Sequence, residues 1–537
     1  MKKFNTLGVM IDMSRNAVMS MDSLKRFLVL LKKMGYNCVM LYTEDTYEVD
    51  GEPYFGYMRG RYTKAEMKEI DAYAAGLGIT MIPCIQTLAH LNAIFRWNQF
   101  PKDCDDILLT DDERTYELID HMFATLSECF ASRKIHVGMD EAHMLGRGKH
   151  LDKHGYETVN AIMKRHLERI CKIAEKYNYE LMLWSDMYFR PWNNGKYVIP
   201  KCEMPREVVE SLPKSVIPVY WDYYQSDESV YSDMIENHKQ LSGKTWFAGG
   251  SWSWYGLIPY NRFTLESMIP ALDACRKHKI RDVIFTMWGD DGGECSHYSQ
   301  LPSLLYLAEY AKGNTDEAKI KAKFKSLCGI DYDEFMEIDC PNDVIEYKGR
   351  PCNPSKYMLY SDYFNDFLDC SVKVGGGERY KAFAEKLHET AKKSRRYGYV
   401  FDTAAKLCDV LEIKYELGLR TRQAYEAGDK DALRALAENE YVQVAQRLKV
   451  FTAAFEKQWM TDNKPHGFDV QHMRLGGLIY RTDACRRRIL DYVNGKLNRI
   501  DELDEALLPY RDKETSFNYN RAVGSATVNV IHMGYIC

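Results

Sequence analysis

The chain has 537 residues, with 72 Lys+Arg against 77 Asp+Glu, a formal net charge of −5 and a pI near 6.3. Its length is several times the ~150 residues of one domain, which predicts a large core with an accessory domain, and its charge balance lacks the basic excess that tracking nucleic-acid phosphates or an anionic membrane surface requires. Hydrophobic residues at 46% and charged residues at 28% exclude a disordered chain, and no run approaches the ~18 apolar residues that span a bilayer. The N-terminus enters a strand-like segment within a few residues, without a signal-type apolar core or cleavage site. The fifteen cysteines are scattered without C-x-x-C pairs, as expected of reduced, buried thiols in a cytoplasmic protein.

From residue 6 to about residue 313, short β-branched runs alternate with stretches of helical period. The predicted strands are Thr6–Asp12, Asn37–Tyr42, Ile79–Ile85, Lys134–Gly138, Glu180–Trp184, Val216–Trp221, Thr245–Gly249 and Asp282–Trp288. Between them the helical period marks Ser23–Met34, Thr63–Gly78, Asp112–Cys129, Val159–Tyr177, Ser229–Leu241 and Thr264–His278. Eight strands with intervening helices, and no glycine-rich phosphate loop after the first, predict an α/β fold of the (β/α)8 TIM-barrel type rather than an open doubly wound sheet. Beyond the barrel the predicted helices are Thr315–Leu327, Glu378–Arg395, Ala404–Ala427, Lys430–Lys457, Asp469–Lys496 and Asp501–Lys513, and Ala526–Cys537 regains β character as an extended tail. The proline-bearing stretch Cys340–Tyr360 reads as a connector. The expected domains are therefore a catalytic barrel over 1–340 and an α-helical C-terminal domain over 341–537. That second domain carries no catalytic signature; capping the barrel rim, walling the pocket and pairing two copies into a homodimer are all open to it, and Arg474 and Tyr480 read as packing or surface residues.

In such a barrel the chemistry sits where the strands end. Here those ends supply Arg15 after the first strand, Glu44 and Asp45 after the second, His90 beyond the third, Asp140 and Glu141 after the fourth, Trp184 on the fifth, Trp221, Tyr223 and Tyr224 on the sixth, Trp254 on the seventh, and Trp288 with Asp290 on the eighth. Seven of the nine tryptophans fall between Trp184 and Trp288. Indole faces among carboxylates suit a sugar, whose C–H faces stack on rings while its hydroxyls take hydrogen bonds. In His136-Val137-Gly138-Met139-Asp140-Glu141 two acids adjoin where the strand twists into its loop. Neighbouring acids push their proton affinities apart, which suits one permanent anion beside one proton donor.

This histidine–x–glycine–x–aspartate–glutamate pattern resembles that of the glycoside hydrolase family 20 β-N-acetylhexosaminidases. The resemblance extends to the arginine, acidic pair, histidine and tryptophans named above and covers roughly residues 1–315. It is nearest to the hexosaminidase D-like branch, which lacks an N-terminal α/β domain and has a helical C-terminal one. It implies an exo-acting enzyme that releases terminal β-linked GlcNAc or GalNAc from an oligosaccharide or glycoconjugate, with no metal or organic cofactor. It also implies a retaining, substrate-assisted reaction through an oxazolinium ion, the known exception to the two-carboxylate scheme. Asp140 is then expected to orient the acetamido group and Glu141 to act as acid and base. His90, backed by Glu44 or Asp45, would modulate Glu141; Arg15 and Asp290 would hold ring hydroxyls; and Trp184, Trp221, Trp254 and Trp288 would form the walls. Met139 stands where the family has a second glycine, and the tyrosine for the carbonyl oxygen is Tyr223, Tyr224 or Tyr255, with the sixth-strand pair favoured. Two other readings stand against this one. A non-catalytic carbohydrate-binding or sensing protein on the same barrel would bind without turnover, and a metal hydrolase built on His90, His136 and His143 lacks H-x-H or H-E-x-x-H spacing.

Overall fold

In the computed structural model, residues 4–344, 353–366, 368–369 and 372–508 are described. They separate into two compact units. The first comprises the chain up to Trp252 with Phe263–Trp288 and Ser303–Ile320; the second comprises Ser253–Arg262, Gly289–Pro302 and the chain from Lys321 onward.

The first unit is a closed barrel of eight parallel strands in sequence order: β1 Thr6–Asp12, β2 Cys38–Tyr42, β3 Thr80–Cys84, β4 Lys134–His136, β5 Glu180–Trp184, β6 Ile217–Trp221, β7 Trp246–Gly250 and β8 Asp282–Met287. Closure is made by β8 pairing with β1 from Thr6↔Asp282 to Ile11↔Met287. The two-residue period of a strand sends alternate side chains inward. Met10, Met40, Tyr42, Ile82, Cys84, Met182, Trp184, Val219, Ala248 and Ile284 form one buried core, with Trp221 and Trp288 packed against it. Helices return the chain between strands and begin at side-chain caps. Ser20 accepts from Ser23 N–H, Asp112 accepts from Arg114 N–H, and Thr63 with Glu66 forms a reciprocal capping box.

The expected TIM barrel is present, and the differences from the predicted elements are local. The regular fourth strand ends at His136, although Val137 N–H still donates to Met182 O at 2.8 Å and Gly138 O accepts from Trp184 N–H at 3.1 Å; the left-handed φ of +73° at Gly138 then turns the chain out of the sheet. Short helices Lys149–His154 and Arg206–Ser211 are too brief to show a period, and Leu301–Ala311 is too uniformly apolar.

In the second unit the helices Gly376–Lys393, Gly398–Glu426, Lys430–Glu438, Glu440–Asp462 and Phe468–Val493 dominate, as expected from their composition. The predicted single helix over Lys430–Lys457 is broken at Asn439 (φ −114°, ψ −70°), whose side-chain amide donates to Ala435 O at 2.9 Å. Ala435 O also accepts the Asn439 backbone N–H at 3.0 Å, so side chain and backbone share one carbonyl at the break. Of the two residues read as packing or surface, Arg474 is completely buried and Tyr480 is exposed. Among the described residues the last helix is Asp501–Asp504; the end of the predicted helix Asp501–Lys513 and the predicted tail Ala526–Cys537 lie outside them.

Gly8 faces the barrel interior, where an added Cβ would stand 2.9 Å from Ile284 Cγ2 and 3.1 Å from Cys38 Cβ. Gly8→Ala is expected to destabilise the protein by about 1–3 kcal/mol through overpacking, read as a lowered denaturant midpoint; an unchanged midpoint would show that β1 shifts without cost.

Candidate active site

The turn after β4 sets the geometry. Gly138, Met139 and Glu141 all have positive φ, at +73°, +70° and +49°, and for the last two this is strained backbone. Each is held by a hydrogen bond from outside the turn. Gly138 N–H donates to His136 Nδ1 at 3.1 Å, Met139 N–H to Gln86 Oε1 at 3.1 Å, and Glu141 N–H to Asp186 Oδ2 at 3.1 Å. Burial lowers His136 to about 3, so its ring is neutral and can accept. Gly138 is required for a second reason: a Cβ there would lie 1.9 Å from Gln86 Oε1. Met139, the departure noted in the sequence, is buried without displacing either acid.

Asp140 is buried and fixed on both oxygens. Gln86 Nε2 donates to Oδ1 at 2.7 Å and to Tyr42 OH at 2.9 Å, and His90 Nε2 stands 3.3 Å from Oδ2. Burial opposes its charge, but the His90 cation and the Gln86 amide outweigh burial and hold Asp140 below the usual carboxylate range. For His90, burial likewise opposes the charge, and the Asp140 anion prevails and raises the ring to about 10. The carboxylate nearest the other ring nitrogen is Asp106, 4.0 Å from Nδ1, which also accepts His90 N–H at 2.9 Å.

Glu141 differs from its neighbour in exposure. Its side chain is 32% accessible against 10% for Asp140, 3.8 Å from His90 Nε2 and 3.4 Å from Arg190 Nη2. Arg190 is itself braced by Asp186, Nε to Oδ2 at 3.0 Å. Burial, with the nearby Asp140 anion, raises Asp186 to about 7. The pair thus offers one carboxylate locked as an anion and one facing outward beside a cation.

The remaining strand ends close the ring. Arg15 Nη2 lies 3.2 Å from Glu44 Oε1, which also accepts from Tyr42 OH at 2.9 Å; burial lifts Glu44 to about 7 against the pull of Arg15. Asp45 turns instead to Arg59, 3.2 Å away. Trp184 is buried against His136 at a ring distance of 4.2 Å and lies 5.8 Å from Trp288. Trp221 stacks on Tyr223 at 5.4 Å, and Tyr223 OH accepts from Trp288 Nε1 at 3.0 Å. Tyr224 packs edge-on against Tyr223 at 5.4 Å and Trp252 at 5.5 Å. Trp254 and Asp290 fall in the second unit, where their carbonyls accept from Asn353 Nδ2 at 3.3 Å and Tyr255 N–H at 3.2 Å.

Gln86, Asp106 and Arg190 were not among the expected site residues, and Asp186 was expected only as a polar residue ending the fifth strand, with no role assigned. Gln86 and Asp186 each stand two residues past a strand end, the position that singled out the others; Asp106 and Arg190 lie in loops with no such marker. Ligand atoms of His90, Asp140 and Glu141 lie within 4.8 Å of one another, near enough to converge on a cation. The proton on His90 competes for that role, since a histidine binds metal only when neutral. At the opposite end of the barrel a cavity of about 860 Å3 is lined by the first residues of the strands. Its polar groups pair with one another there, as in Lys134–Glu180 at 2.7 Å and Thr6–Asp282 at 2.6 Å.

Two family models match the chain: the glycosyl hydrolase family 20 catalytic domain over residues 42–230 and the glycoside hydrolase 20C C-terminal domain over residues 331–522. Hexosaminidase D of Homo sapiens is 22% identical over 338 residues, 57% of this chain and 66% of that protein, and hexosaminidase D of Bos taurus is 22% identical over the same length, 92% of that protein. The chain thus spans just under two thirds of the human relative. Among solved structures, an exo-β-N-acetylglucosaminidase of Vibrio harveyi superposes with a TM-score of 0.47 at 15% identity, covering 63% of this chain and 58% of that one. A β-hexosaminidase of Streptomyces plicatus gives 0.44 at 19%, covering 61% and 69%.

Histidine nitrogen NMR tests the central ion pair. One of the 14 histidines, His90, should remain doubly protonated at pH 8.5 and titrate near pH 10. In Asp140→Asn the raising partner is gone, and that ring should titrate at or below about 6.5. Deprotonation of every ring by pH 8 in the unaltered protein would remove the pair from the account.

Proposed function

Because the chain belongs to glycoside hydrolase family 20, we propose that it is an exo-acting β-N-acetylhexosaminidase that removes terminal β-linked GlcNAc or GalNAc by a retaining, substrate-assisted reaction. The observation that carries this reading is the division between the two acids: Asp140 buried and held anionic, Glu141 accessible.

Asp140 accepts the acetamido N–H. This turns the carbonyl oxygen toward the anomeric carbon and places a fixed negative charge beside the oxazolinium ring as it forms. Its own orientation is settled in advance by Gln86 and His90, so little reorganisation is needed during reaction. Glu141 gives its proton to the leaving glycosidic oxygen; as a carboxylate, stabilised by Arg190, it then draws a proton from the water that opens the ring. Tyr223 is the tyrosine best placed by its partners to donate to the carbonyl oxygen, because burial holds its phenol protonated and Trp288 fixes its oxygen. Trp184, Trp221 and Trp288 wall the acetamido group, and Arg15, oriented by Glu44, meets ring hydroxyls. Trp254 and Asp290 enter only through the sequence resemblance. A binding protein on a retired barrel would need neither an oriented anion nor an accessible acid beside it.

Aryl β-N-acetylglucosaminides and β-N-acetylgalactosaminides should be hydrolysed with retention. Glu141→Gln should lower kcat about 10²- to 10⁴-fold. Replacing the substrate's N-acetyl by N-trifluoroacetyl, which weakens the amide nucleophile, should slow the unaltered enzyme steeply; equal rates for both would overturn substrate assistance while leaving a hydrolase.

Arg190 acts through Glu141 and is a positioning residue. Arg190→Gln should cost about 10- to 100-fold in kcat on an alkyl glycoside, whose departure needs a proton, and far less on a dinitrophenyl glycoside, whose departure does not. A uniform loss across leaving groups would reduce Arg190 to a structural part.

A further inference from the structure

Two loops at the catalytic end of the first unit carry aromatic side chains that the chemistry above leaves unused. The loop after β2, residues 43–63, holds Tyr54 and Tyr57, 45% and 48% exposed. The loop after β3, residues 85–112, holds half-buried Trp97. The three rings meet at centroid distances of 6.2 Å (Tyr54–Tyr57), 5.2 Å (Tyr54–Trp97) and 5.6 Å (Tyr57–Trp97). Rings of this size at a surface are informative when they cluster.

The cluster is anchored. Beneath it Phe55 is fully buried and packs on Tyr47 at 5.2 Å and on Phe100 of the other loop at 6.3 Å. The turn between Tyr54 and Tyr57 rests on the residue that follows Glu44: Gly56 has φ +65°, and a Cβ there would fall 2.0 Å from the carbonyl of Asp45. The Trp97 loop is pinched at its base by Leu91 N–H donating to Asp106 O at 3.1 Å, beside the bond that fixes His90. Both loops therefore start beside site residues and carry rings at the surface, Tyr54 and Tyr57 exposed and Trp97 half-buried.

We propose that Tyr54, Tyr57 and Trp97 form a platform for the sugar residues on the leaving-group side of the bond that is cut. The inference rests on the hydrolase reading and extends it to a preference for oligosaccharides over simple glycosides. The departing sugar takes its proton from Glu141, so it must lie on the β4 side of the mouth, and β3 is the neighbour of β4 in the sheet. A pyranose with equatorial substituents presents flat C–H faces that stack on such rings.

The test compares p-nitrophenyl β-N-acetylglucosaminide with triacetylchitotriose on Tyr57→Ala and Trp97→Ala. The platform predicts a drop in kcat/KM for the trisaccharide of about tenfold, carried by KM, with the aryl glycoside changed less than twofold. Binding is read separately by calorimetry on Glu141→Gln protein, where the trisaccharide should bind about tenfold more tightly than free GlcNAc and lose that advantage when Tyr57→Ala is added. Equal effects on both substrates, or an undiminished trisaccharide advantage, would overturn the platform. So would sedimentation showing that Tyr57→Ala only dissociates a dimer while trisaccharide kinetics stay unchanged. Failure of the unaltered protein to cleave the aryl glycoside would instead count against the hydrolase reading, with the calorimetry still deciding the platform.

Discussion

The ladder between β8 and β1 is the constraint on which the site depends. A sheet of eight parallel strands could end in two open edges; pairing Thr6 through Ile11 with Asp282 through Met287 removes both. Once the ring is shut, every strand delivers its last residue to the same rim. Residues as distant in sequence as Arg15, Asp140 and Trp288 then surround one mouth. The interior beneath them is filled by alternate side chains from seven of the eight strands, with His136 of β4 packed on Trp184, so the floor of the site is packed core and the rim geometry is inherited from it.

On that floor the polar groups are arranged so that backbone strain and side-chain position are solved together. Non-glycine residues at positive φ cost of order 1–3 kcal/mol each. Met139 and Glu141 are both in that region, and each has its N–H bound by a side chain from a neighbouring strand end, Gln86 from β3 and Asp186 from β5. The same two side chains also reach the acids: Gln86 binds Asp140 directly, and Asp186 braces the Arg190 that faces Glu141. The turn and the carboxylates it presents are therefore one assembly. Charge is distributed likewise. The anion at Asp140 is balanced by His90, while Glu44 and Asp186, both buried, are raised to about 7, which limits how much negative charge the mouth must carry at neutral pH.

The second unit applies the same rule in a helical setting. Glu294 is buried and bound by Arg474 Nη1 at 2.7 Å, Lys356 Nζ at 2.7 Å and Gln471 Nε2 at 3.0 Å. Two cations on one carboxylate give directional contacts among helices whose apolar faces alone would tolerate sliding. Removing one member of such a cluster leaves a buried charge without its counterpart, which is costly. Helical periodicity located Phe468–Val493 closely, yet it could not distinguish a buried arginine from an exposed one, because the long polar side chain reads the same in both settings.

The barrel, the order of its strands and the helical composition of the C-terminal region are all legible in the sequence. Each is written in local periodicity and in caps such as Thr63 and Glu66, which act within a few residues. Asp140 and Glu141 are marked there too, since strand ends are recognisable wherever a β run stops at polar residues. Only the folded barrel settles which acid is the locked anion, that Glu44 rather than Asp45 meets Arg15, and that Gln86, Asp106, Asp186 and Arg190 belong with them. Burial and pairing fix those roles, and both arise only when strands remote in sequence are brought edge to edge.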